Sequence, residues 1–464
     1  MKDLQKNLSH MFWMLTALFV ILGGYFVYVA AIEADDFITN PFNARVAVDI
    51  EGIKRGTIYD AHGMPIVESV YSNGRYTRQY SFGAAFAHTV GYSGMSRAGL
   101  ELSRNFTMNH LRWELVQRAG HVMFSNELVA NSIVTTFDAD LQQFIFDSLG
   151  TSRGAVVVID SATGAILAMV STPSFDPNRV TELWGGLIAD NENSPLLNRA
   201  TQGLYPPGST FKVVTAMAAL NYDPSLIDFT FNCTGHAHFG GETIQCWGGT
   251  AHGIVNMHRA MAVSCNGYFA TLADKIGAEP IIQASEQLLF NSAIPFELPA
   301  STPLFPMGAE PAIYELVQTA IGQGRITATP LNMALIAAAV ANGGIVMEPY
   351  LVDRVVSGFG NTLSSTAPRS MGQLMDAQMA TLLNEMMIEA VNTGTGTPAG
   401  LSYMQVAGKT GTAQNATGVD HSWFIGYAPA ENPTAALAII IENTGGGTRA
   451  SQLAGQIFNF IGDE

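Results

Sequence analysis

Three short polar strings stand in order along the chain: Ser209-Thr210-Phe211-Lys212, Ser264-Cys265-Asn266 and Lys409-Thr410-Gly411. The apolar spacing after Ser209 predicts a helix that begins there, so Lys212 lies one turn away on the same face. A hydroxyl beside an amine can attack a carbonyl if burial next to a second cation keeps that amine neutral. Alone, such a string is more often a helix cap followed by a solvated lysine. As chemistry, it predicts a nucleophile and its base.

The other two strings change that balance, because they supply what an acylation site needs besides its nucleophile. Ser264 offers a hydroxyl that can pass a proton between an amine and a leaving group, and Asn266 offers an amide that can hold a substrate peptide group. Lys409 is the candidate for the second cation. The three strings in this order predict serine acyl transfer, and the ordered set is far harder to obtain by chance than any one of them.

The third string continues as Lys409-Thr410-Gly411-Thr412 and is predicted to be a strand. A strand edge can hold an extended peptide through backbone hydrogen bonds, and a glycine lets the other backbone approach closely. We expect Lys409, Thr410 and Thr412 to bind a terminal carboxylate. The backbone amides of Ser209 and Thr412 are the candidates for an oxyanion hole.

Further phrases after residue 50 are similar to those of one family. On them and on the three strings, the chain resembles the class B penicillin-binding transpeptidases of the FtsI or PbpA type. The phrases are Arg55-Gly56-Thr57-Ile58-Tyr59-Asp60 with Gly63, Gly99-Leu100-Glu101, Val134 to Gln142, Pro173 to Asn178, Asn198-Arg199-Ala200, Ile321 to Gly324, Thr329-Pro330-Leu331, Gly394-Thr395-Gly396 and Ser422 to Tyr427.

The resemblance implies an α+β fold, the penicillin-binding transpeptidase or serine β-lactamase-like fold. It has a five-stranded antiparallel sheet flanked by helices and an all-helical subdomain. The implied activity is cross-linking of peptidoglycan stem peptides by a D,D-transpeptidase, through a Ser209 acyl-enzyme. Ser264 would pass a proton to the departing D-alanine, and β-lactams would be covalent inhibitors. No metal or organic cofactor is expected.

Other functions remain open at this point. With water as acceptor, the same strings would make a D,D-carboxypeptidase or a β-lactamase, and a penicilloyl complex that clears within seconds would indicate the latter. From another class, the chain could be a penicilloyl-binding sensor, or a scaffold that activates a glycan polymerase. Scaffolding is compatible with catalysis, because the resemblance implies a SEDS-family glycan polymerase (RodA/FtsW-like) as partner.

One apolar run, Met11 to Ile32, is long enough to cross a membrane at about 1.5 Å per residue. Lys2 and Lys6 precede it and Glu33 follows it, so the positive-inside rule predicts a single-pass protein with a cytoplasmic N-terminus and an extracytoplasmic catalytic part. The alternative is a signal peptide cleaved near Ala31, although the run is longer than a typical signal core.

The expected domain order is a cytoplasmic tail (1–10), a transmembrane anchor (11–32), a pedestal (33–150) and a transpeptidase domain (151–464). In the last of these, β-rich runs predict a hairpin early and three strands late, which suggests one antiparallel sheet closed by distant segments. The strands are predicted at 154–160, 165–170, 404–412, 422–428 and 435–442, with a helical region at about 200–345 and a last helix at 449–461.

The net charge limits the possible partners, and the three cysteines allow more than one arrangement. A net charge of −16 argues against a nucleic-acid partner. Cys233 and Cys246 are expected either to form a disulfide or to remain two thiols. A zinc site of Cys233 with His236 and His238 is a weaker alternative, because its spacing matches no standard motif. Cys265 is expected to be a buried, inert thiol that points away from the site.

Overall fold

The computed structural model describes residues 2–29, 53–94, 96–109 and 128–462. The α-helices of those residues, numbered in chain order, follow. They are α1 Lys2–Tyr28, α2 Gly99–Ser103, α3 Asn105–Asn109, α4 Ala139–Leu149, α5 Val180–Ala189, α6 Arg199–Gln202, α7 Lys212–Tyr222, α8 Met257–Ala262, α9 Asn266–Ile276, α10 Ala278–Gln287, α11 Ile313–Thr319, α12 Pro330–Ala341, α13 Ala377–Thr393 and α14 Thr448–Gly462.

The strands of the described residues are numbered in the same way. They are β1 Ile53–Lys54, β2 Ile58–Tyr59, β3 Pro65–Ser72, β4 Arg75–Tyr80, β5 Leu128–Val129, β6 Ser132–Thr135, β7 Gly154–Ile159, β8 Ile166–Thr172, β9 Phe231–Cys233, β10 His236–Phe239, β11 Glu242–Gln245, β12 Gly253–Val255, β13 Ile345–Met347, β14 Val352–Val356, β15 Thr362–Ser365, β16 Ser370–Gln373, β17 Ala407–Ala413, β18 His421–Ala428 and β19 Ala435–Ile441.

A five-stranded antiparallel sheet in the order β17-β18-β19-β7-β8 forms the centre of the molecule. The predicted α+β fold and the closure of the sheet by distant segments are therefore confirmed. Strand β7 is buried along its whole length because helices cover both faces of the sheet. Val157 and Ile159 belong to the core that contains α12, while Val156 and Val158 belong to the core that contains α4 and α14.

The helical part lies between β8 and β13, where the sequence predicts it. Helix α7 is its centre, and every residue from Lys212 to Leu220 is buried. A helix that is covered all round gains its stability from packing rather than from an amphipathic pattern. It therefore gives a rigid support to the residue that precedes it.

A second sheet has the order β15-β14-β6-β2-β3-β4. Strands β14 and β15 come from residues beyond 351, although the sequence places the pedestal within 33–150. Conversely, α4 packs against β8 of the central sheet. One cut at residue 150 therefore does not separate the two sheets, because β14 pairs with β6 across more than 200 positions of sequence.

A buried ion cluster holds the second sheet to α2. The Glu101 carboxylate, fully buried, accepts hydrogen bonds from Arg55 Nε and Arg78 Nε, each at 2.8 Å. Burial raises the pKa of Glu101, but the charges of Arg78 and Arg55 outweigh it and lower the pKa overall. Two cations and two hydrogen bonds thus compensate one desolvated carboxylate, and Arg55 Nη2 also donates to the Glu101 backbone carbonyl.

Helix α1 includes a segment, Lys6–Tyr28, that is apolar and long enough to cross a membrane. It begins before the predicted start at Met11, and the predicted end, Ala30 to Ile32, lies outside the described residues. Its large apolar side chains are exposed, Phe19 by 72%. The helix is therefore consistent with a membrane anchor.

Candidate active site

A hydrogen bond and a left-handed glycine fix the backbone just before Ser209. Trp423 Nε1 of β18 donates a hydrogen bond to Pro206 O at 3.0 Å, and Gly208 has a left-handed backbone with φ 55°. A short 3-10 turn, Gly208–Phe211, then leads into α7, so Ser209 lies at the start of a helix as predicted. Its hydroxyl makes no hydrogen bond with any described residue and lines an open cleft.

Ser264 lies between two buried amines. Its Oγ is 3.1 Å from Lys212 Nζ and 3.0 Å from Lys409 Nζ. Its backbone is left-handed, with φ 57°, a conformation that is uncommon for a residue with a Cβ. Its carbonyl accepts a further hydrogen bond from Lys212 at 2.7 Å. The three polar strings therefore meet, and one hydroxyl can exchange protons with both lysines.

Both lysines are completely buried, and their pKa values reflect it. Burial lowers the pKa of Lys212 from 10.5 to about 8. Burial, and then the charge of Lys212, lower the pKa of Lys409 well below 10.5. Near neutral pH, one of the two amines can therefore be unprotonated, as a general base must be.

Asn266 uses both ends of its amide within the protein. Its Oδ1 accepts a hydrogen bond from Lys212 Nζ at 2.6 Å, and its Nδ2 donates to Gln245 O at 2.8 Å. As an ammonium, Lys212 would have all three protons directed at Ser264 and Asn266. A neutral Lys212 has one proton fewer and a lone pair free. The second N–H of the Asn266 amide makes no hydrogen bond with any described residue, so it could bind the substrate peptide group that the sequence pattern assigns to it.

Strand β17 is an edge strand of the central sheet, with Lys409, Thr410, Gly411 and Thr412 in consecutive positions. A Cβ at Gly411 would come within 2.8 Å of Trp423 Cβ, so only glycine fits there. The Thr410 and Thr412 side chains line the same cleft as Ser209. Thr395, to which the sequence pattern assigns no role, shares a hydrogen bond of 2.6 Å with the Thr410 hydroxyl.

The cleft has a volume of about 1160 Å³. Hydroxyl and amide side chains dominate its lining, and Asp420 and Arg449 are its charged members among the described residues. Trp247 also lines the cleft and is 70% exposed. A long, polar and mostly uncharged groove suits an extended peptide.

Comparison with known proteins identifies the family. The family model described as "Penicillin binding protein transpeptidase domain" matches residues 154–462. This chain belongs to the penicillin-binding protein transpeptidase family. A second model, "Penicillin binding protein A dimerisation domain", matches residues 55–132 of this penicillin-binding transpeptidase.

Relatives and solved structures agree with this. The peptidoglycan D,D-transpeptidase PbpA of Mycolicibacterium smegmatis is 33% identical, over 92% of this chain and 91% of that protein. The peptidoglycan D,D-transpeptidase MrdA of Acinetobacter baumannii is 31% identical over 83% of this chain, which spans 66% of that longer protein. The imipenem acyl-enzyme of penicillin-binding protein A from M. tuberculosis superposes with a TM-score of 0.82 at 30% identity, over 88% of this chain and 98% of that one.

This penicillin-binding transpeptidase also has a sulfur cluster directly behind the Ser264-x-Asn266 string. The ligand atoms of Cys233, Cys246, His252 and Cys265 all lie within 4.8 Å of one another. The Sγ atoms of Cys233 and Cys246 are 3.7 Å apart, those of Cys246 and Cys265 are 3.8 Å apart, and Cys233 Sγ is 3.4 Å from His252 Nδ1. Cys265 is buried and also caps the N-terminus of α9.

The four side chains could hold one zinc ion. In a tetrahedral site with Zn–S bonds of about 2.3 Å, sulfur atoms lie about 3.8 Å apart, and a sulfur and a nitrogen ligand about 3.5 Å apart. The three separations given above match these values. The hydrogen bond between Cys246 and Cys265 lowers the pKa of Cys246 and raises the pKa of Cys265, so Cys246 is the one of the pair that favours the thiolate a metal needs.

The zinc alternative drawn from the sequence used different histidines. His236 and His238 are exposed on β10 and lie outside the cluster, where His252 takes their place. Cys233 and Cys246 are free thiols, too far apart for the sulfur–sulfur bond of about 2.05 Å in a disulfide. Cys265 is buried as expected, but in contact with Cys246.

Proposed function

We propose that this chain is a peptidoglycan D,D-transpeptidase that works through a Ser209 acyl-enzyme. The observation that carries the proposal is the Ser264 hydroxyl between Lys212 and Lys409, in the same cleft as a serine that starts a buried helix. The relatives named above are peptidoglycan D,D-transpeptidases, which supports this reaction for the chain. The acyl-enzyme structures of M. tuberculosis penicillin-binding protein A support acylation by β-lactams.

Acylation uses the neutral form of Lys212. Lys212 takes the Ser209 proton as Ser209 Oγ bonds to the carbonyl carbon between the two D-alanines of a stem peptide. The amides of Ser209 and Thr412 stabilise the resulting oxyanion. When the peptide bond breaks, the proton reaches the departing D-alanine nitrogen through the Ser264 hydroxyl, and the acyl group stays on Ser209.

Strand β17 holds the end of the substrate. The stem peptide adds to its open edge, and the terminal carboxylate meets the Thr410 and Thr412 hydroxyls. Lys409 Nζ donates hydrogen bonds to Ser264 Oγ and to Thr410 O, each at 3.0 Å, so its positive charge lies next to the residues that bind the carboxylate. Thr395 fixes the direction of the Thr410 hydroxyl.

An exchange assay tests the choice of acceptor. Purified protein is incubated with a synthetic pentapeptide ending in D-Ala-D-Ala and a labelled D-amino acid. A transpeptidase transfers the label into the peptide because an amine releases the acyl-enzyme. Release of D-alanine with the tetrapeptide as sole product would contradict transpeptidation and indicate a carboxypeptidase.

We also propose an orientation for the N-terminal anchor in the membrane. We place residues 1–10 in the cytoplasm and the transpeptidase domain outside, because Lys2 and Lys6 precede the apolar run Met11 to Ile32, and Glu33, Asp35 and Asp36 follow it. Proteolysis of spheroplasts checks this. The domain should be digested from outside, and its protection in intact spheroplasts would reverse the topology.

We also propose domain boundaries that follow the two sheets rather than a single cut at residue 150. The pedestal would consist of the second sheet, including β14 and β15, and the transpeptidase domain would include α4. We propose that α1 and the pedestal contact a SEDS-family glycan polymerase, as the family resemblance implies. If scaffolding of that polymerase were the chain's only role, a Ser209→Ala protein would restore growth to a depletion strain, whereas we expect no growth.

A further inference from the structure

The loop Ile321–Gly324 contributes Ile321 and Gln323 to the lining of the cleft that contains Ser209 and Ser264. Gly322 has φ 76°, and its carbonyl accepts a hydrogen bond from Gly208 N at 2.9 Å. A Cβ at position 322 would lie 1.9 Å from Gly208 O, so the two glycines are in direct backbone contact. The loop therefore fixes the peptide that carries the Ser209 amide.

The next residue of the loop reaches the other half of the proposed oxyanion hole. Gln323 Nε2 donates a hydrogen bond to Thr412 O at 3.3 Å. In an extended strand, the N–H and C=O of one residue point to the same side. Because the Thr412 carbonyl points away from β18 towards Gln323, the Thr412 N–H points into the cleft as well.

The three backbones converge closely. A Cβ at Gly208 would lie 2.6 Å from Thr412 O, so the segment before Ser209 rests against β17 at that residue. Oxyanion donors must be held to within about 0.5 Å to be effective. Gly322 holds one donor segment through its carbonyl, and Gln323 holds the other through its side chain.

We propose that Gln323 is a positioning residue of the oxyanion hole, a role that rests on the proposed Ser209 chemistry. Its amide holds the Thr412 carbonyl, which lies on the same side of β17 as the Thr412 N–H, and so keeps this residue of the strand at its distance from Ser209. Gln323 acts when the tetrahedral intermediate forms, since that is when negative charge develops on the substrate oxygen. It has little influence on the noncovalent complex.

Gln323→Glu separates this role from space filling. Glutamate has nearly the size of glutamine, but an ionised carboxylate cannot donate to Thr412 O. Gln323→Met likewise lacks a donor. Gln318→Met is the matched control, because Gln318 lines the same cleft while its amide donates to Tyr314 Oη.

Stopped-flow acylation of the purified full-length protein by a chromogenic cephalosporin gives the noncovalent dissociation constant and the acylation rate constant separately. We expect both Gln323 variants to lower the acylation rate constant roughly tenfold to a hundredfold. This is no more than the effect of removing one oxyanion donor outright, because the Thr412 N–H is still present. A boronic acid that forms a tetrahedral adduct should lose affinity by a similar factor. The dissociation constant of the Gln323 variants and the acylation rate constant of Gln318→Met should stay within about twofold of the wild-type values. The Tm of each variant should stay within a few degrees of that of the wild type.

An unchanged acylation rate in Gln323→Glu would overturn the inference, and so would a loss confined to the dissociation constant. Either result would leave the proposed function intact as long as the wild type is acylated on Ser209. Acylation elsewhere in the wild type would instead refute the proposed function itself.

Discussion

At the scale of single residues, the arrangement of Ser264 explains how two lysines can share one buried site. Two ammonium groups 3 Å from the same oxygen would repel each other in a medium of low polarity. Loss of one proton relieves that repulsion and produces the base. The Ser264 hydroxyl lies within hydrogen-bond distance of both amines, so it can accept a proton from one side and give up its own on the other.

This arrangement predicts a pH dependence. Because Lys212 must be neutral to act and burial lowers its pKa to about 8, acylation should become faster with rising pH up to about 8 and then level off. The measurement is the second-order rate constant for penicillin between about pH 6 and 10. Lys212→Arg is the control, since arginine keeps the charge but does not deprotonate, and should be inactive throughout. A flat wild-type profile would contradict the role of Lys212.

The sequence indicates the proposed catalytic residues better than the residues that position them. Ser209, Lys212 and Ser264 carry chemistry that their own strings reveal, and the structure brings these strings together. Thr395 and Gln323 act through hydrogen bonds to residues 15 and 89 positions away, which no local pattern indicates. Gly394-Thr395-Gly396 and Ile321 to Gly324 are visible as family phrases, but their contacts become apparent only in three dimensions.

At the scale of elements, the sulfur cluster joins three parts of the helical region. Cys233 ends β9, Cys246 follows β11, and Cys265 caps α9 next to the two polar residues of its string. A tetrahedral metal would fix all three at once, and with them the carbonyl of Gln245 that holds Asn266. Short helices and hairpins of this kind gain much from such a link.

We predict that the purified protein carries about one zinc ion per chain. Cys246→Ser should remove it, lower the Tm and slow acylation, because the Ser264-Cys265-Asn266 loop loses its support. Metal content by mass spectrometry and the Tm with and without a chelator check this.

His236→Ala is the matched control for the metal. This histidine is exposed and lies outside the cluster, so the variant should retain the metal. Loss of metal in His236→Ala but not in His252→Ala would show that His252 is not a ligand. Absence of metal from protein purified without chelators would exclude the site.

Local patterns predict the strands of the central sheet to within a few residues, because β7, β8, β18 and β19 are short apolar runs with a clear turn before or after them, and β17 carries the Lys409-Thr410-Gly411 string. They do not predict that β14 and β15 complete the second sheet. Pairing with β6 depends on how the domains fold together, and an exposed strand such as β15 has no apolar run to indicate it. The same applies to α4, whose amphipathic pattern fits either sheet.

At the scale of the whole molecule, a few buried polar contacts fix the second sheet to the rest. The Gln142 side chain bonds both Ala85 O and the backbone of Met169, each at 2.8 Å. Arg104 pairs with Glu297 at 2.8 Å, and Glu297 in turn accepts from the amide of Val352 in β14. The pedestal is therefore attached beside the catalytic sheet rather than through a single linker.

The Glu101 cluster should determine the stability of the pedestal. Glu101→Gln leaves Arg55 and Arg78 buried without a counter-charge, which should lower the free energy of unfolding by about 3–5 kcal/mol. Urea denaturation of the purified protein checks this, with Glu182→Gln as control, because the Glu182–Arg179 pair is exposed and should contribute little. Equal effects of the two variants would contradict the assignment. Residual penicillin labelling in folded Glu101→Gln would show that the transpeptidase domain tolerates the change.

The most direct test of the central claim is labelling by a fluorescent penicillin. Membranes containing the wild type, Ser209→Ala or Ser225→Ala are treated with the label and separated by denaturing electrophoresis. Ser225 is an exposed serine near the end of α7, so its variant controls for expression and folding. We predict a labelled band for the wild type and Ser225→Ala, and none for Ser209→Ala at equal protein amount. A labelled Ser209→Ala band would contradict the Ser209 acyl-enzyme.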